Sequence, residues 1–180
     1  MIEYGIAVNG YVYNEDGEIS LWIQKRSLSS LIWPKKLDNF VSGSISTKYS
    51  AKETACYSAE KGANMPTKIS RRLGPVGYLG TFYQFKDELI ANVTFIYDIE
   101  LPYNYQPTNL EDKENEFRLV PASKILEMLC DEAHLMVPKT RNILFDFLIR
   151  KEVLDLENEP DLPEIIDCLQ IPVHGFYEAK

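Results

Sequence analysis

Several sets of side chains in this chain have the types and spacing to do chemistry. Lys25, Arg26 and Lys61 are cations that could gather around a phosphate, where ionised donors make the strong hydrogen bonds. The plainer alternative for them is a solvated basic edge. Trp33 could stack on a heterocyclic ring at a pocket mouth, or it could be packed in the core. Glu111, Asp112, Glu114 and Glu116 form an acidic run able to supply a metal ligand or a general base, and otherwise to serve as a solvated loop. His134 and His174 have no partner spacing that suggests catalysis and read as surface or helix-end residues. No Ser/His/Asp or Cys/His arrangement, Gly-rich phosphate loop or zinc pattern occurs. Cys56, Cys130 and Cys168 are odd in number and widely spaced, which argues against a disulfide framework and leaves them as small apolar side chains.

Composition narrows the classes of function. With 180 residues, 45% of them apolar and 12% aromatic, the chain can bury a real core as one domain and is not disordered. It carries 19 basic against 27 acidic side chains, a net charge of −8. That balance is not the footprint of a nucleic-acid or anionic-membrane binder, whose affinity comes from neutralising phosphates. A small-molecule phosphate ligand remains compatible, because a local basic patch can sit on an acidic protein. The N-terminus lacks the basic and long apolar regions of a signal peptide, and no stretch approaches the ~18 apolar residues that span a bilayer. A soluble, cytoplasmic protein is expected.

The elements that must position these residues follow from pattern. Gly5 to Tyr13 alternates as a strand, Asn14-Glu15-Asp16-Gly17 supplies a turn, and Glu18 to Lys25 returns as a second strand. Lys36 to Val41 predicts a short buried strand. Ser50-Ala51-Lys52-Glu53 is a capping box opening a helix to about Lys61, with Gly62 offering a left-handed stop. Pro75 to Phe85 and Leu89 to Leu101 predict a hairpin through Lys86-Asp87-Glu88, and Gln106 to Glu116 a polar loop. Helices are predicted from Pro121 to about Glu132, Pro138 to about Val153 and Pro163 to about Leu169, each opening on a proline. The order β–β–β–α–β–β–β–α–α predicts an α/β sandwich with helices against a mixed sheet. Residues 1–180 read as one domain with a helical C-terminal extension from about residue 138.

Several runs together resemble a known family. Val8-Asn9-Gly10-Tyr11-Val12, Leu21-Trp22-Ile23 followed by Lys25-Arg26-Ser27, and Trp33-Pro34 leading to Leu37-Asp38-Asn39 are three of them. Pro75-Val76-Gly77, Tyr97-Asp98-Ile99-Glu100-Leu101-Pro102, Asp146-Phe147-Leu148-Ile149-Arg150 and Glu157-Asn158-Glu159-Pro160-Asp161 continue the match along nearly the whole chain. These runs resemble the Nudix proteins related to thiamine pyrophosphokinase. The resemblance implies a Nudix-type α/β/α sandwich. It also implies pyrophosphohydrolase chemistry, in which glutamates of the box G-x5-E-x7-R-E-U-x-E-E-x-G-U hold divalent cations against a diphosphate. Lys25, Arg26, Trp33 and Asp38 are then the expected substrate-binding residues.

The box itself departs from that pattern. Laid on from Gly43, its first Glu falls on Tyr49, a position this branch often lacks, and R-E-U-x-E-E falls on Tyr57-Ser58-Ala59-Glu60-Lys61-Gly62. The metal-binding glutamates are replaced by Ser58, Lys61 and Gly62, which share one helix face at 100° per residue. Glu60 points roughly 150° away from the centre of that face and cannot replace them. Three glutamates would bring −3 to the face, whereas Ser, Lys and Gly bring +1. A Lys ammonium about 4 Å from Mg²⁺ would repel it by ~2 kcal/mol even at the dielectric of water.

Three readings therefore stand. The first is a pocket that binds a diphosphate-containing or heteroaromatic small molecule with little or no hydrolysis, and without cofactor or metal. The second is a pyrophosphohydrolase for thiamine diphosphate-like or nucleoside diphosphate-linked substrates. It would need Mg or Mn at a non-standard site, with Glu114 and Glu116 as substitute acids. The third is a protein-interaction module on the same scaffold.

Overall fold

The computed structural model describes residues 2–173. Strand β1 (Ile2–Tyr13) is buried continuously from Gly5 to Val12, as a central strand covered on both faces must be. Its alternation divides the molecule: Ile6, Val8 and Val12 enter one core and Ala7 and Tyr11 the opposite ones. Asn14 Oδ1 accepts the N–H groups of Asp16 and Glu18, and Gly17 takes a φ of 83°, closing the tight turn into β2 (Ile19–Lys25).

The predicted strand Lys36 to Val41 is two strands. Leu37–Asp38 (β3) pairs with β2, whereas Val41–Ser44 (β4) pairs with β1. Between them the backbone steps from one neighbour to the other while Asn39 and Phe40 stay fully buried. Phe40 lies so close over β1 that a Cβ on Gly10 would sit 2.6 Å from its ring, which requires glycine there.

Helix α1 (Ala51–Gly62) starts as predicted, with Ser50 and Glu53 satisfying each other's backbone N–H groups. Its end differs from the prediction. Gly62 is the last helical residue, and Asn64 takes the left-handed conformation at φ 53°. Donors from a distant loop cause this: Leu110 N–H bonds Lys61 O, while Thr108 N–H and the Tyr105 hydroxyl bond Ala63 O. A short α2 (Thr67–Ser70), absent from the sequence reading, follows.

β5 (Gly74–Phe85) and β6 (Glu88–Glu100) form the expected hairpin. The acidic loop ends at Asn115, and Glu116–Pro121 is β7, paired along β2. Helices α3 (Ala122–Asp131), α4 (Pro138–Arg150) and α5 (Leu162–Leu169) follow, α4 stopping short of the predicted Val153. Among the described residues seven strands run β3-β2-β1-β6-β5, with β4 on β1 and β7 on β2, and of these strand pairs only β1 with β6 is parallel.

Helices cover this mixed sheet on both faces. On one, Ala55 and Ala59 of α1 pack on Ile6, Val8, Trp22 and Phe40. On the other, Ile125, Phe147 and Leu148 pack on Tyr11, Leu21 and Ile23. The result is an α/β/α sandwich whose α1 side carries a cleft. Among the described residues, no helix is long and apolar enough to cross a membrane. His134 is exposed at the centre of a 3-10 turn, Ala133–Leu135, and His174 lies outside the described residues.

Candidate functional site

The most heavily bonded polar group near the cleft is Asp38. β3 buries it completely, and four donors meet its carboxylate. Arg26 Nη1 and Ser42 Oγ each donate to Oδ2 at 2.9 Å, and Thr140 Oγ1 at 2.7 Å and Asn39 N–H at 2.9 Å donate to Oδ1. Burial pushes its pKa up. The charges of Lys139 and Arg26 and the hydrogen bonds from Thr140 and Arg26 outweigh that and hold it below the usual carboxylate range. Among these donors Asp38 holds Arg26, whose Nε also donates to Ile32 O at 3.1 Å.

Arg26 and Ser42 stand where two cavities adjoin. One, of about 240 Å³, lies between β2, β4, α1 and the acidic loop; Gln24, Ser58, Gly62, Asn109, Glu111 and Asp112 are among its walls. The other, of about 230 Å³, is walled by Trp33, Tyr83, Asn92, Lys139 and Glu3. The rings of Trp33 and Tyr83 meet edge to face at 6.0 Å, giving an aromatic wall, and Trp33 holds a strained φ of 53°. Tyr83's hydroxyl pKa is pushed up by burial and then by the charge of Glu3. A cavity of about 560 Å³ between β5, α4 and α5 is larger. It is mainly aliphatic, and its one carboxylate, Asp146, is already paired with Arg150.

The box positions fall as follows. Ser58 and Gly62 face the first cavity, and a Cβ on Gly43 would stand 2.8 Å from Ser58 Oγ, so helix and strand touch there. Lys61 is exposed and does not wall the cavity. Glu60 turns away and accepts the Ser70 hydroxyl at 2.5 Å, tying α1 to α2. The loop acids divide. Asp112 accepts Ser27 Oγ at 2.5 Å and the Glu114 N–H at 3.1 Å, and among the described residues Glu111 meets only the Tyr57 hydroxyl, at 3.4 Å. Glu114 is exposed. Glu116 pairs with Arg118 at 3.2 Å and Lys25 at 3.9 Å on the surface.

A divalent cation of the kind the box implies needs hard oxygen ligands, usually including carboxylates. These residues do not fit one: among the described residues the carboxylates facing the cavity opposite Ser58 and Gly62 are Asp112, bonded to Ser27, and Glu111, which accepts a 3.4 Å hydrogen bond from Tyr57. Among the described residues, no group of three or more His, Cys, Asp or Glu side chains is placed to hold a metal ion.

The structure brings Arg26 together with Asp38 and, across the second cavity, with Trp33, but it does not bring Lys25 or Lys61 to them. Sequence reasoning missed Gln24, Ser42, Asn92, Asn109 and Lys139. Of these, Gln24 left a signal, as a polar residue at a position whose strand neighbours Trp22 and Ile23 are buried.

Comparison with known proteins bears on this architecture. No family model matches the sequence. The NUDIX domain of Shewanella oneidensis NrtR, solved in complex with ADP ribose, superposes with a TM-score of 0.62 at 11% identity, covering 86% of this chain and 90% of that one. The fold is the Nudix fold. The Arabidopsis thaliana protein named Nudix hydrolase 24, chloroplastic, is 30% identical over 164 residues, 91% of this chain and 43% of that protein. Nudix hydrolase 20, chloroplastic, of the same plant is 32% identical over 151 residues, 82% of this chain and 39% of that protein. The chain thus spans less than half the length of these two curated relatives. These homologues and the structural likeness together support placement in the Nudix superfamily.

Proposed function

We propose that this protein uses the double cleft to bind a diphosphate-containing, heteroaromatic small molecule and hydrolyses it slowly or not at all. One observation carries the reading. The cavity-facing side of α1 presents Ser58 and Gly62 where the Nudix resemblance puts metal-binding glutamates, with Lys61 exposed between them. Trp33 and Tyr83 supply a face and an edge for a ring, and Arg26, held by Asp38, supplies a fixed guanidinium for phosphate. Binding through such groups does not require turnover chemistry. The sequence resemblance to thiamine pyrophosphokinase-related Nudix proteins makes thiamine diphosphate a first ligand to try. ADP ribose is a second, as the ligand of a structural neighbour.

A hydrolase reading keeps one specific support, the exposed Glu111 carboxylate at the cavity wall, held only by a 3.4 Å hydrogen bond from Tyr57 among the described residues. The test is hydrolysis of thiamine diphosphate and ADP ribose with Mg²⁺ or Mn²⁺, beside calorimetric titration of each in EDTA. Binding in EDTA with turnover at the buffer blank is expected. Losing the metals removes several kcal/mol of transition-state stabilisation, and each ~1.4 kcal/mol is a factor of ten in rate. Metal-dependent turnover that disappears in a Glu111→Gln, Glu114→Gln, Glu116→Gln variant would establish the hydrolase instead.

A further inference from the structure

We infer that the cavity between β5, α4 and α5, on the sheet face opposite the cleft, binds a small molecule with an ammonium head and a long aliphatic chain. The head would sit on Asp146 and the chain between the apolar walls. The inference is independent of the reading above, because no wall of the cleft takes part.

The sequence builds this cavity from several elements. Its apolar walls come from Leu79 on β5, Val93 on β6, Ile149 on α4, and Ile166 and Leu169 on α5. The chain beyond α5 then closes on β5. A Cβ on Gly80 would stand 2.3 Å from Val173 Cγ2 and 2.5 Å from Ile171 O, so the close approach requires glycine there. The enclosed volume of about 560 Å³ lies within the ~300–1,000 Å³ typical of small-molecule sites.

One charged side chain, Asp146, stands on the wall, and its bonding is incomplete. Arg150 Nε donates to Asp146 Oδ2 at 2.8 Å. Both Nη atoms of Arg150 turn instead to Asp98, Nη1 to Oδ2 and Nη2 to Oδ1 at 3.3 Å. Asp98 is held in turn by Asn9 Nδ2, which donates to its Oδ1 at 3.0 Å. The guanidinium fork is thus committed to Asp98, and among the described residues no donor reaches Asp146 Oδ1. Two carboxylates share one guanidinium, so the trio carries a net −1 beside an aliphatic wall. The Asp146 side chain is only 25% exposed, which limits what water can return to it.

That pole selects its occupant. A protonated amine brings a positive charge and N–H donors at one end, and its carbon chain matches the walls. An alcohol offers one uncharged donor and makes the weaker hydrogen bond. A carboxylate head would meet Asp146 as a like charge. A polyamine would press its inner ammonium groups, unpaired, against aliphatic side chains.

The test is calorimetric titration of the full chain with octylamine, octanol and octanoate, each below its micelle-forming concentration, at about pH 7, where an alkyl amine is protonated. Octylamine should bind about tenfold more tightly than octanol, and octanoate should not bind. Asp146→Asn should bring octylamine down to the level of octanol. Ile166→Trp, which leaves Asp146 and Arg150 in place, should fill the cavity and abolish binding of both; it serves if Asp146→Asn does not fold. Equal affinity for octylamine and octanol overturns the ammonium site, as does a preference for octanoate. Octylamine binding that is unchanged in Ile166→Trp places the amine elsewhere and overturns it too, and failure of octylamine to bind overturns it outright. None of these outcomes touches the cleft, whose ligands are titrated separately.

Discussion

Replacing Asp38 tests whether the cleft is organised as described, because four donors converge on one buried carboxylate. Asp38→Ala leaves the Thr140 hydroxyl, itself 0% exposed, without its acceptor and leaves Arg26 and Lys139 beside an apolar hole. Removing one partner of a buried pair costs about 3–5 kcal/mol. The Arg26 side chain is 26% exposed and keeps part of its hydration, which moves the expectation to about 3 kcal/mol. For a domain of this size each kcal/mol lowers Tm by about 2–4 °C, so the variant should melt roughly 6–12 °C below wild type. Asp38→Asn should fall between them, since its carbonyl oxygen can still serve Thr140 while its NH₂ confronts Arg26 and Ser42. Urea unfolding followed by circular dichroism gives the free energies, with an unchanged m-value confirming that stability alone has moved.

The pH dependence has a definite sign. The folded carboxyl titrates below its ordinary 3.8, so its contribution is fully present above the unfolded pKa and is lost as pH falls through the lower folded one. The stability gap between wild type and Asp38→Asn should therefore be flat from about pH 8 to 5 and close below about pH 4. A gap that widens on acidification, or an Asp38→Ala variant within about 1 kcal/mol of wild type, would refute the view that this carboxylate fixes Arg26.

Two further outcomes are expected. Ser58→Glu, Lys61→Glu and Gly62→Glu together should recover Mn²⁺ binding by calorimetry. Gly62 is helical without a positive φ, and a Cβ there meets only Val41 at 3.7 Å, so the main adjustment falls at Ser58 against Gly43; a folded triple variant that ignores Mn²⁺ would mean that more than the carboxylates is missing. Ser50→Ala should cost about 1 kcal/mol by removing one half of the capping box, read as a drop of about 2–4 °C in Tm. No change would show that α1 is held by its tertiary contacts alone.

What could be read from the sequence was what local chemistry decides. Ser50 and Glu53 start α1 wherever that helix packs, and alternation in β1 assigns residues to faces whatever their partners. Features set by distant residues were not legible. β3 and β4 separate because Phe40 must fit over Gly10, thirty residues earlier, and α1 ends where it does because the loop after Leu101 brings donors to its last carbonyls. The candidate site mixes the two cases. Lys25 and Arg26 are adjacent in sequence, but Lys25 ends β2 and meets Glu116, while Arg26, one residue beyond the strand, reaches Asp38. Alternation carried one residue past β2 separates the two, and could have been drawn from its pattern.

The choice among the loop acids could not. Glu114 and Glu116 were the natural substitutes by position. Yet Asn109 and Asn115, through bonds to backbone N–H groups, turn Glu111 and Asp112 toward α1 and leave the other two outside. Glu111 and Asp112 are thus the loop acids on the cavity wall, and Glu111→Gln should alter ligand affinity where Glu114→Gln and Glu116→Gln do not.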